Sequence, residues 1–195
     1  MTLIAPAQAM PAVFVAAVAE LEAFPWAPPV VAETLPAPRG IAPFSAAVEA
    51  DLDDDDHEAT GRLILLHDPA GNPIWDGCFR CVTFAKATID QETVFDQWRA
   101  PVTWSWLIDA LTGQQAVFTA PGGTVTIVSN THFGGLEAQP EQAEIELRAS
   151  WTPDLSVAGL SPHVAAWQDL LRLMAGLAPA DPSIVPLSGG RNSRS

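Results

Sequence analysis

The chain has 195 residues, 48% of them hydrophobic and 16% charged, which is one domain's worth of polypeptide with enough apolar surface for a packed core. Twenty-three acidic side chains against nine basic ones give a formal charge of −14, a field that repels phosphate backbones and anionic headgroups and so argues against nucleic acid and membrane surfaces as partners. The two cysteines, three positions apart, cannot staple a small fold together, and this points to a reducing cytoplasm.

In chain order, Met10 to Ala19 is apolar and ends in the signal-like Ala17-Val18-Ala19, but the first basic residue is Arg39, so the basic flank of a secretory signal is missing. Phe14, Val18, Leu21 and Phe24 instead mark one face of an amphipathic helix, and residues 1–24 are read as an N-terminal helix. Six prolines between Pro25 and Pro43 predict an extended, polyproline-like segment. Ten acidic side chains in residues 1–58 face a single arginine, and the run Asp53-Asp54-Asp55-Asp56 lacks the spaced ligands and glycine of a calcium loop. Residues 25–58 are therefore read as a Pro-rich, acidic linker.

Residues 59–177 are predicted to form the folded body. Arg62 to His67 reads as a strand, Asp68-Pro69-Ala70-Gly71 as a type I turn, and Ile74 to Ala87 as the returning strand with a bulge at Gly77. Trp104, Leu107, Ile108 and Leu111 define a helix that stops at Gly113. Ala116 to Ala120, Pro121-Gly122-Gly123 and Thr124 to Asn130 read as a second hairpin. In Ala143 to Trp151 apolar Ile145, Leu147, Ala149 and Trp151 alternate with Glu144, Glu146, Arg148 and Ser150, so one face of the sheet is wet. Ser161 and Pro162 open a last helix with Val164, Trp167, Leu171 and Met174 inward, and 178–195 is read as a disordered tail. The order implies an α+β two-layer sandwich: an antiparallel sheet of about five strands with helices mainly on one face.

The chemistry-bearing residues form no complete motif. Cys78-x-x-Cys81 has no second ligand pair for zinc, and in mid-strand its thiols lie on opposite faces. His57, His67, His132 and His163 occur in no ligand spacing, His163 is expected to be exposed, and Gly-x-Ser-x-Gly is absent. His67-Asp68 as a base and its orienter would point apart at a strand end. No catalytic, cofactor-binding or metal-ligating residue is assigned, and no cofactor is expected. Trp104 and Trp106 diverge by about 200° around a helix, which makes Trp106 a candidate exposed anchor.

The strings Leu66-His67-Asp68-Pro69-Ala70-Gly71, Trp75-Asp76-Gly77, Trp104-Ser105-Trp106-Leu107, Phe133-Gly134-Gly135-Leu136 and Arg148-Ala149-Ser150-Trp151-Thr152-Pro153 resemble an actinobacterial family called domain of unknown function 3000, over about residues 33–177. The resemblance implies a cytoplasmic bacterial protein and transfers no activity. Cys78 and Cys81 stand where Thr- or Val-like residues are expected, which weakens a thiol role further. Two functional readings follow. The first is a non-enzymatic interaction or regulatory protein that offers its half-wet sheet, acidic arms and Trp106 to another protein. The second is a small-ligand binder or enzyme working over the polar sheet face at Arg80, Thr124, Thr126, Glu146 and Arg148. A concave, partly apolar cavity with converging polar groups favours the second; a flat sheet with an exposed apolar patch favours the first.

Overall fold

A computed structural model describes residues 9–53, 58–136 and 142–180; the acidic run from Asp54 to His57 and the tail beyond residue 180 lie outside the described residues. The chain folds as α1 (Ala12–Glu22), β1 (Val30–Leu35), β2 (Phe44–Asp53), β3 (Glu58–Asn72), β4 (Gly77–Ile89), α2 (Arg99–Gly113), β5 (Phe118–Asn130), β6 (Gln142–Pro153), the short α3 (Leu155–Ala158) and α4 (Ser161–Met174). The six strands form one antiparallel sheet in the order β1-β2-β3-β4-β6-β5, so the fold is α+β as expected, with six strands in place of about five.

Period-two alternation decides which sheet face is covered. Leu63 and Leu65 on β3, Cys81 and Ala85 on β4, and Ile145, Leu147 and Trp151 on β6 are all buried on the helical side. Glu49, Arg62, Lys86, Glu144, Glu146 and Arg148 occupy the other face, where they join in the pairs Arg62–Glu49, Lys86–Glu144 and Arg148–Glu146. α4 crosses the middle of the sheet on β3 and β4, with α2 beside it toward β5 and α1 toward β2. Val164, Trp167, Leu171 and Met174 face inward as the spacing predicted, and the Trp167 indole donates to Thr83 Oγ1 on β4 at 2.8 Å. Each such fully buried large side chain stabilises the fold by about 1.5–3 kcal/mol.

Four local expectations are corrected. The stretch read as a linker carries β1 and β2, paired along Val30↔Leu52 to Leu35↔Ala47, because prolines 25–29 and 36–43 flank β1 without entering it. Asp68 to Gly71 does not reverse the chain. Asp68 Oδ1 accepts from the Ala70 N–H and Gly71 takes φ +78°, which makes an irregularity inside β3, and the reversal comes at residues 73–76. Pro121-Gly122-Gly123 is likewise a bulge within the single strand β5, between Thr119 and Gly122, and not a hairpin turn. His163 is buried, since its Nδ1 accepts from the Trp151 indole N–H at 3.1 Å.

Candidate functional site

A concavity lies at one end of the sheet, between α1, the β3–β4 hairpin, the end of β6 and α3. It is a cleft of about 740 Å³. Its walls are apolar: Val13, Ala16 and Ala17 from α1, Phe79 from β4, Pro153 from β6 and Leu155 from α3. α1 supplies this wall because its adjacent face, with Phe14 and Leu21, is buried in the core, and Ala17 lies between the two.

Three carboxylates border the cleft, and each is placed by a local device. Asp154 caps α3, with Oδ1 accepting from the Ser156 N–H at 3.0 Å and its hydroxyl at 2.6 Å, and these bonds hold its pKa below the ordinary value. Asp76 ends the hairpin turn with φ +56°, a left-handed conformation that Asp tolerates better than most side chains. Glu20, from the last turn of α1, reaches across to the start of α4, where its Oε2 accepts from the N–H groups of Leu160 and Ser161 at 2.7 and 2.9 Å. Gly159 makes room for it, because a Cβ there would meet the Glu20 carboxylate within 2.5 Å. Among the described residues no lysine or arginine lines the cleft.

His67 closes the inner wall. Its Nδ1 donates to the Cys78 carbonyl at 3.0 Å, its ring stacks on Phe79 with centroids 4.1 Å apart, and Nε2 is a buried acceptor with no partner among the described residues. Cys78 is exposed at the cleft, whereas Cys81 is buried in the core, which pushes its thiol pKa far up. Among the described residues no three His, Cys, Asp or Glu side chains gather as metal ligands would.

The residues singled out in the sequence lie elsewhere. Thr124 pairs with Arg148 and Thr126 with Glu146, so these four are contiguous on the open sheet face. Arg148 bonds Glu146 at 2.8 Å and lies 5.0 Å from the centre of the Phe84 ring, beside a shallow groove of about 550 Å³. Arg80 stands on the same face but is engaged as a clamp: Nη1 donates to the Ala120 carbonyl and to Thr152 Oγ1, and Nη2 donates to Ser150 Oγ. Its partial burial lowers its pKa from the ordinary arginine value. Trp106 is on α2, across the sheet from these five, half-buried against the core; the exposed indole of that helix region is Trp98.

The cleft residues Glu20, Asp76 and Asp154 carried no sequence signal, because they converge from segments up to 134 residues apart. His67 and Cys78 were weighed only for motifs they do not form. No helix among the described residues is long and apolar enough to cross a membrane. No curated protein and no solved structure matches the chain. The model of a family described as "protein of unknown function (DUF3000)" matches residues 10–184, a span that takes in the six strands and four α-helices of the described residues. The chain therefore belongs to the DUF3000 family.

Proposed function

We propose that this is a non-enzymatic, cytoplasmic binding protein whose cleft takes a small apolar molecule bearing a protonated amine. The observation that carries the reading is the cleft itself. Its volume of about 740 Å³ falls within the roughly 300–1,000 Å³ typical of small-molecule sites, and its walls are apolar. Glu20, Asp76 and Asp154 at its border, with no lysine or arginine among its described lining residues, favour a positively charged head group and disfavour an anion. The histidines support binding over catalysis: His163 is neutral in the core, its pKa pulled down to about 4 by burial, and His67 is stacked between Phe79 and Phe14. Two free thiols support a reducing compartment. The open sheet face, where Thr124, Thr126, Glu146 and Arg148 adjoin a groove, supports a second reading as a partner surface.

Cys78 is a built-in reporter of cleft occupancy. A thiol reagent is expected to modify Cys78 quickly and Cys81 only on unfolding. Tryptamine and indole-3-propionate share one apolar ring system and differ in the sign of their charge. Tryptamine is expected to slow the fast phase and raise the melting temperature, and indole-3-propionate to do neither. Asp76→Asn, which keeps the left-handed turn, is expected to weaken the tryptamine effect. Equal protection by both compounds, or protection by neither, overturns the reading.

A further inference from the structure

We propose that β5 is a docking edge for a second copy of the same chain, pairing antiparallel with its counterpart across a twofold axis to extend the sheet. β5 ends the strand order, and its outer backbone groups have no backbone partner among the described residues. Natural sheets blunt such an edge with charges, proline, bulges or short length. The opposite edge, β1, is six residues long and carries Glu33. β5 has Pro121 and a bulge only in its first part, and from Gly122 to Asn130 it pairs regularly with β6.

Charge identifies the occupant. Between Asp109 and Glu137 the sequence contains no Asp, Glu, Lys or Arg, although the whole chain carries −14. Two copies repel each other over most of their surface, and this edge offers a long approach free of like charge. A partner recognised through basic residues would find no counter-charge on it.

The core also stops short here. On the helical side Ile145 and Leu147 of β6 are fully buried, but their register partners Ile127 and Val125 on β5 remain half-exposed. At the other edge the inward-facing Val30 of β1 is buried. A twofold-related β5 would bring its own Val125 and Ile127 against these two, which completes the core and satisfies the edge hydrogen bonds together. Phe133 and Leu136, exposed just beyond the strand, extend the apolar border.

Sedimentation of the full chain decides the matter. The expected mass is twice 20.7 kDa at micromolar concentration, with dissociation on dilution. Amide exchange within Gly122 to Asn130 should slow as protein concentration rises. Thr126→Lys keeps a neighbour in Glu146 but places two lysines together at the twofold pairing, and it is expected to weaken the dimer by about tenfold or more. If that variant unfolds, the exchange measurement on the native chain still discriminates. A chain that stays monomeric into the high-micromolar range overturns the proposal. So does a dimer whose Gly122 to Asn130 amides exchange as fast as in the monomer. Because the cleft lies at the end of the sheet near α1 and α3, the tryptamine effect should survive Thr126→Lys, so each idea fails separately.

Discussion

His163 shows how one side chain couples the core to pH. Its folded pKa is about 4 because burial disfavours the imidazolium, while an unfolded chain titrates near the ordinary value of 6.5. Between these values the unfolded state binds the proton and the folded state does not. The stability linked to this group is therefore complete above about pH 6.5 and is lost as pH falls toward 4, by about 3 kcal/mol in all. Urea midpoints measured across that interval should fall steadily. His163→Leu should start lower at neutral pH, because the Trp151 indole N–H loses its acceptor, but should show a shallower slope. Identical slopes in the two proteins would remove His163 from the account. The sequence placed this histidine outside because it sits near the start of a helix, and nothing local announces a Trp151 partner twelve residues earlier on a strand.

Among the elements, β5 was the hardest to read. Its Pro-Gly-Gly triplet has the composition of a reversal, yet the strand runs on. Ala120 takes φ +47° in the bulge, where Arg80 of β4 holds its carbonyl. The two glycines do different things. A Cβ on Gly122 would meet nothing within 4 Å, whereas on Gly123 it would stand 2.5 Å from the Arg148 carbonyl oxygen and 2.8 Å from the Trp104 ring. Gly123→Ala is accordingly expected to cost about 1–3 kcal/mol by overpacking the α2 contact. Gly122→Ala should leave the denaturation midpoint within about 0.5 kcal/mol of the parent. Equal effects at the two positions would show that Trp104 does not seat on the strand here. By contrast β6 was legible almost residue by residue, since strict alternation follows from one covered face, whereas in α4 the spacing revealed Val164, Trp167, Leu171 and Met174 but not the burial of His163, Gln168 and Asp169.

At the scale of the whole molecule, charge works against compactness. These three open-face ion pairs are partly exposed and contribute at most about 1 kcal/mol each, against the mutual repulsion of a −14 chain. Raising ionic strength from about 0.01 M to about 0.15 M shortens the screening length from about 30 Å to about 8 Å, so the urea midpoint is expected to rise at fixed protein concentration. A midpoint that falls would mean that the pairs outweigh the repulsion. The α+β class and the single covered face were visible in the periodicity, but the cleft was not, because it is made by segments that meet only in the finished fold. Glu20 illustrates the distance involved: α1 stands near the start of the chain, and the helix end it caps begins 140 residues later. During synthesis α1 is therefore made long before the helix it caps, and β4 waits for α2 and β5 to emerge before its neighbour β6 arrives. Throughout that interval α1, whose Phe14 packs on Phe44 of β2 and His67 of β3, lacks its α4 neighbour, so the growing chain presents a partly uncovered apolar helix that a holding chaperone would recognise.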